Sequence, residues 1–311
     1  ERLYHQKGRE FMIKIIAPAT SANLGPGFDS LGIAFELYNT FEVEKSKDFI
    51  VTGCPKKFQN EDNLFIVAFK KVTSRLNKRL KCRVNIKTGI PVERGLGSSA
   101  SLICAGLVAA NELLNRPLSR DELFEMAAEM EGHPDNVAPC IYGGFHMAYK
   151  DDKDRFSDYI LHLANNVYFT AIIPPYKVLT KKAREVLPEK VDIRDAVHDI
   201  QRSILMVKSL EYGDHFILRR AFEDNMVTPY RKSLIKDYDQ ILKTVRYCSG
   251  SCLVISGSGS TMLAISDNSS FAEVISEFTD SKLKVINLKV DYQGTRVIES
   301  DEPVKKTRKK R

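Results

Sequence analysis

Residues 12–17 (MIKIIA) read as a short strand, and residues 82–88 (CRVNIKT) alternate apolar and polar side chains with the period of a half-buried strand. Between them, residues 62–76 place Leu64, Val67, Ala68, Val72 and Leu76 at helical spacing. A Gly/Ser/Asn-rich loop over 18–32 and an extended run over 33–45 precede that helix. A second loop, 89–97, leads into a helix over 99–114. Ser119 followed by Glu122 is a capping box, and its helix runs to Glu131. Further on, 141–149 and 167–173 read as strands, and 193–210, 214–223 and 230–247 as helices. Strands at 252–256 and 262–266 flank a Gly/Ser turn, and a helix over 269–279 and a strand over 283–290 follow. Strands and helices mix without strict alternation, which predicts an α+β fold rather than a doubly wound sheet. The charged stretch 150–158 suggests a boundary between a domain over 12–160 and another over 161–300. Residues 1–11 and 301–311 are expected to be a polar leader and a basic tail, both disordered.

At 311 residues, with 43% hydrophobic and 28% charged side chains, the chain can bury a sizeable core. The net charge of +7 suggests nucleic acid, but its distribution argues otherwise. Residues 301–311 carry +4 and residues 1–11 carry +1, so the body is nearly balanced and offers no broad phosphate-backbone footprint. Six scattered cysteines include no CxxC pair and suggest reduced thiols of a cytoplasmic protein. No apolar run is long enough to cross a bilayer.

Four segments carry candidate chemistry. The sharpest is Pro91-Val-Glu-Arg94-Gly95-Leu96-Gly97-Ser98-Ser99-Ala100-Ser101, which runs directly into a helix. Its glycines let backbone approach a ligand, and its serines put hydroxyls at the positive end of the helix, where phosphate is favoured. A serine there can also reach Mg²⁺ held by phosphate oxygens. An ordinary glycine turn before a helix is the competing reading. No Gly-Lys-Ser/Thr tripeptide of a Walker loop occurs, and the formal GxGxxA match lies too far from the preceding strand for a dinucleotide fold. The second segment joins Glu125, a candidate Mg²⁺ ligand or a solvated helix residue, to Glu131-Gly-His133-Pro-Asp135-Asn136. The third, residues 18–29, presents Asn23 and Asp29 among glycines. The fourth is the turn Gly257-Ser-Gly259 between two apolar strands, which alone reads equally as a hairpin.

Together, in this order, the four segments resemble the signature motifs of the GHMP kinases. The resemblance spans residues 12–297 and takes in 180–188 and 229–231. It implies a two-domain GHMP fold, with a ribosomal-S5-type N-terminal domain and a ferredoxin-like C-terminal domain. It also implies transfer of the ATP γ-phosphate to a small alcohol, with the form of these motifs pointing to the side-chain hydroxyl of L-homoserine. Carried over by position, Ser98 or Ser99 and Glu125 would hold Mg²⁺. Asn63 would approach adenine beside the 91–101 loop. Asn23, Asp29, His133, Gly257 and Gly259 would line the acceptor pocket, with Asp29 taking its ammonium group. Arg184 and Arg231 would take its carboxylate or the moving phosphate. Asn136 and Thr180 would flank the reacting hydroxyl. Asn136 stands where other members place an aspartate, which implies transfer without a strong protein base, with Asp135 the minority candidate for one. The final turn lacks the proline usual in the motif. Two alternatives are a member acting on another small alcohol and a non-catalytic relative, although Ser98, Ser99 and Glu125 are all retained. A homodimer is expected by analogy, and no nucleic-acid or membrane partner.

Overall fold

The computed structural model describes residues 12–298, and the expected leader and tail lie outside the described residues. The first half of the chain runs β1 (Met12–Ala22), β2 (Leu31–Ser46), β3 (Ile50–Thr52), α1 (Leu64–Arg75), β4 (Lys81–Lys87), α2 (Ser98–Leu113), α3 (Arg120–Glu131), α4 (Val137–Tyr142), β5 (Phe145–Lys150) and β6 (Phe156–Leu161). These strands, with one from the end of the chain, form a seven-stranded sheet. Its path runs from that last strand through β1, β2 and β4 to β3, with β5 also paired to β2 and to β6. The second half runs β7 (Tyr168–Ile173), α5 (Thr180–Glu185), α6 (Ile193–Tyr212), α7 (His215–Ala221), α8 (Thr228–Arg231), α9 (Tyr238–Tyr247), β8 (Cys252–Ile255), β9 (Met262–Ser266), α10 (Phe271–Ser276), β10 (Lys284–Leu288) and β11 (Arg296–Ile298). Here a four-stranded antiparallel sheet has the order β10-β7-β9-β8.

Alternation builds the first sheet's inner face. Ile13, Ile15 and Ala17 of β1 and Phe41 and Val43 of β2 point into a core shared with α1 to α4. A second core joins the two sheets, because Phe35 of β2 meets Phe169 of β7 edge-on at 5.3 Å. Both rings are almost wholly buried, and each contributes about 1.5–3 kcal/mol of burial. β11 pairs with β1 through Lys14–Ile298 and Ile16–Arg296, so the end of the second half completes the first sheet.

Several expectations needed correction. β1 continues past Ala17 to Ala22, with Pro18 at a register shift and beyond the residues paired to β11, where a missing N–H is tolerated. Residues 141–142, expected to start a strand, instead end the helix α4 over 137–142. Pro139 sits in the first turn of α4, where no N–H is required, and β5 begins only after Gly143-Gly144. The expected helix over 230–247 is interrupted: Ile235 is extended and buried under the last glycine turn, and Lys236 N donates to the Tyr176 hydroxyl at 3.0 Å. The charged stretch near 150–158 is not a linker but the β5–β6 hairpin, whose turn Asp151 and Arg155 close.

Candidate active site

The loop before α2 lies against both the first strand and the last glycine turn. Gly97, with φ 66°, is the N-cap of the 16-residue α2, and a Cβ there would stand 1.9 Å from Thr20 Oγ1. A Cβ on Gly95, with φ 75°, would stand 2.1 Å from the Ser256 carbonyl oxygen. Only glycine fits either position. Around them Thr20 N donates to Leu96 O, Thr261 N to Arg94 O, and Ser256 Oγ to Gly95 O at 2.6 Å. Three sequence-distant segments therefore meet at one helix N-terminus.

They enclose a cleft of about 350 Å³. At its charged floor the Ser99 hydroxyl donates to Glu131 Oε1 at 2.6 Å, and Ser98 lies alongside. Arg94 Nη2 donates to Pro175 O at 2.7 Å, while its buried Nη1 has no partner among the described residues. Thr20 Oγ1 donates to Asn136 Oδ1 at 2.7 Å, which fixes the Asn136 amide at the cleft wall. His133 Nδ1 lies 2.9 Å from Oδ1 of the buried Asp135. Burial pulls the His133 imidazolium down, but the Asp135 carboxylate, helped by Glu131 and Asp29, outweighs it, so the proton is held above the usual histidine range.

Opposite stands a guanidinium pair. Arg184 makes a two-pronged contact with Asp29, at 3.1 and 2.9 Å. Arg231, only 3% exposed, donates from Nε to Ala183 O and from Nη1 to Gly257 O. Both guanidiniums lie over the Phe28 ring, 5.6 and 5.0 Å from its centre. Burial, reinforced by the Arg184 charge, lowers the Arg231 pKa below the usual arginine range. Asn23 Nδ2 also donates to Gly257 O, and its Oδ1 accepts from Asp29 N, which pins Asp29 at φ 51°. Thr180 Oγ1 is 3.4 Å from Ser258 Oγ. The far end of the cleft is apolar, walled by Phe58, Leu64, Ile86, Val92 and Leu102.

Most of the expected residues converge on this cleft: Asn23, Asp29, Asn63, Arg94, Gly95, Gly97, Ser98, Ser99, His133, Asn136, Thr180, Arg184, Arg231 and Gly257 all line it. Others do not. Glu125 faces a separate groove with Asp121, Tyr142 and Arg155, while Glu131, six residues further along the same helix, faces the serines. Six residues turn a helix by roughly 600°, which leaves the two carboxylates on different faces. Leu96 and Ala100 are core residues. The buried Ser101 hydroxyl donates to Ser98 O and accepts from Asn39 Nδ2, bracing the loop from behind. Pro91 and Gly259 lie outside the lining, and a Cβ on Gly259 would meet Ile235. Asn63 lines the apolar end, but its Oδ1 caps α1 at Phe65 N and its Nδ2 donates to Phe58 O. Sequence reasoning gave no role to Glu131, Thr20, Phe28 or Ser258. For Glu131 the signal was available, because it ends α3 immediately before Gly132.

The model of the GHMP kinases N terminal domain matches residues 63–144. A homoserine kinase of Clostridium botulinum (strain Okra / Type B1) is 38% identical over 291 residues, 91% of this chain and 98% of its own length. The chain belongs to the homoserine kinase branch of the GHMP kinases. A second such relative, from Clostridium beijerinckii, is 38% identical over 296 residues, 93% of this chain and 99% of its own length. The crystal structure of homoserine kinase from Cytophaga hutchinsonii superposes with a TM-score of 0.85 at 30% identity, covering 96% of this chain and all of that one. Leishmania mevalonate kinase in complex with R-mevalonate, at 15% identity and a TM-score of 0.72, shares the fold. Membership makes the chain an ATP-dependent kinase with the two-sheet GHMP architecture. Among the described residues, no helix is long and apolar enough to cross a membrane.

Proposed function

We propose that this cleft transfers the γ-phosphate of ATP to the side-chain hydroxyl of L-homoserine, giving O-phospho-L-homoserine for threonine synthesis. The observation that carries the reading is one cleft holding a helix N-terminus with paired serine and carboxylate at one side and an Asp29–Arg184–Arg231 set at the other. An α-amino acid bears one ammonium and one carboxylate. Asp29 is placed to take the first, and the two guanidiniums the second. Arg184 and Asp29 pair with one another until the zwitterion joins them, so neither charge is left bare.

The triphosphate would lie on the α2 N-terminus, with Arg94 Nη1 as a buried donor and the base against the apolar end. The hydroxyl of Ser99 and the carboxylate of Glu131 form a hard-oxygen pair 2.6 Å apart, which fits Mg²⁺. Glu131 replaces Glu125 in that role. When bound, the ion neutralises charge on the phosphate oxygens. In-line transfer needs position and charge stabilisation more than a base. Asn136, fixed by Thr20, orients the acceptor, and Asp135 is engaged with His133. Six free cysteines support a reducing, cytoplasmic setting.

The test is ADP release with Mg²⁺-ATP and, separately, L-homoserine, L-serine, L-threonine, mevalonate or galactose. Release with homoserine alone is expected. Release with a different alcohol instead would overturn the acceptor assignment.

A further inference from the structure

Behind the acceptor pocket, outside the lining of the cleft, two carboxyl groups are buried together: Asp199 of α6, 1% exposed, and Asp224 before α8, 8% exposed. A buried carboxylate is costly unless it is paired or hydrogen-bonded. Here both are turned on one four-residue segment. Asp224 Oδ1 accepts from Met226 N and from Val227 N at 2.8 Å each, and its Oδ2 from Thr228 N at 2.7 Å. Asp199 Oδ1 accepts from Asn225 N at 2.9 Å, and its Oδ2 from Met226 N at 3.1 Å. Arg202 Nε donates to His198 Nε2 at 3.2 Å, which leaves His198 Nδ1 to donate to Asp199 Oδ1 at 3.0 Å. Every backbone N–H from Asn225 to Thr228 is thus bound to one carboxyl or the other.

What this clamped segment carries is Arg231. Arg231 N donates to Val227 O at 3.1 Å, so the guanidinium follows the segment. One turn along α6 from Asp199, Ser203 Oγ lies 2.7 Å from Pro26 O, three residues before Asp29. One face of α6 therefore holds both the loop that carries Asp29 and the segment that carries Arg231. We propose that Asp199 and Asp224 are positioning residues for the acceptor: they keep Arg231 at the spacing from Asp29 that the ammonium and carboxylate of an α-amino acid require. The proposal rests on the acceptor reading given above. Neither carboxyl touches the substrate, and both act through Arg231. Productive binding geometry tolerates displacements of only about 0.5 Å, which is the reason for so many bonds to so short a segment.

Steady-state kinetics of the full chain with Mg²⁺-ATP and L-homoserine test this. Asp199→Ala is expected to raise KM for homoserine by ~10-fold while kcat and KM for ATP stay within ~2-fold. A merely structural role reads differently, because loss of folded enzyme lowers the rate at saturation and leaves KM alone. Arg231→Ala is expected to raise the same KM by ~100-fold, and adding Asp199→Ala to it to raise KM no further, since a residue that acts through Arg231 then has nothing left to position. Should Asp199→Ala misfold, Asp224→Asn, which replaces one acceptor oxygen, serves in its place with an expected rise of ~3-fold. A homoserine KM raised in Arg231→Ala but unchanged in Asp199→Ala, or increases that multiply in the double variant, would overturn the positioning role alone. An unchanged KM in Arg231→Ala would overturn the carboxylate assignment, and this proposal with it.

Discussion

At the scale of single residues, the deciding contact is Ser99 to Glu131, because it places a carboxylate beside the hydroxyls at the head of α2. Glu131→Gln is expected to lower kcat by roughly 100-fold or more and to raise the Mg²⁺ concentration needed for half-maximal rate, while Glu125→Gln leaves both unchanged. Steady-state kinetics against Mg²⁺ distinguish the two. The guanidinium pair predicts a different signature. Arg184→Ala is expected to raise KM for the acceptor by ~10–100-fold with KM for ATP nearly unaffected, since the side chain touches Asp29 and not the phosphate loop. Asn136→Leu keeps the branched shape of the side chain but removes the acceptor for Thr20, and is expected to cut turnover sharply. Ser99 and Asn136 were legible because each stood in a short motif with glycine punctuation, whereas Arg184, in the glycine-free stretch 180–188, was reached only through the family resemblance. Glu125, expected beside the serines, lies in a separate groove, because spacing along a motif does not say which face of a helix a side chain occupies.

At the scale of elements, the site depends on turns that bring distant segments within contact distance. Gly97→Ala combines a strained φ of 66° with a Cβ driven into Thr20, so a loss of about 2 kcal/mol in folding stability is expected, read by urea denaturation. The segment that launches α8 supplies a pH response. Asp224 accepts from Met226 N, Val227 N and Thr228 N, yet burial and the neighbouring Asp199 carboxylate push it up to about 6 from 3.8. A folded-state value above the unfolded one means that this stability is fully present below pH ~4 and lost as pH rises through ~6. Relative to Asp224→Asn, the wild type should therefore lose ~2 kcal/mol between pH 4 and 7, measured as the change with pH in their stability difference. Regular elements such as α1, α3 and β8–β9 could be read from periodicity and capping, and the Ser119–Glu122 box is present as expected. α4 and the break at Ile235 could not be, because Pro139, the glycine pair and a tertiary contact outweigh local propensity there.

For the whole molecule, the chain's order hides the architecture. β11 returns to the first sheet and the second core bridges both sheets, so the cleft sits on a continuous body rather than at a loose linker. The α+β class followed from composition and pattern. The seven-stranded path did not, since pairing between residues about 280 positions apart leaves no local trace. The account's central claim is that the phosphate bound at the head of α2 passes to the hydroxyl of an amino acid held by Asp29, Arg184 and Arg231. It is tested most directly by ³¹P NMR of the purified chain turning over Mg²⁺-ATP with L-homoserine. The account predicts a phosphomonoester signal growing in step with ADP and absent with Arg184→Ala at low homoserine. Inorganic phosphate as the only new signal, or a phosphomonoester equally strong with mevalonate, would contradict it.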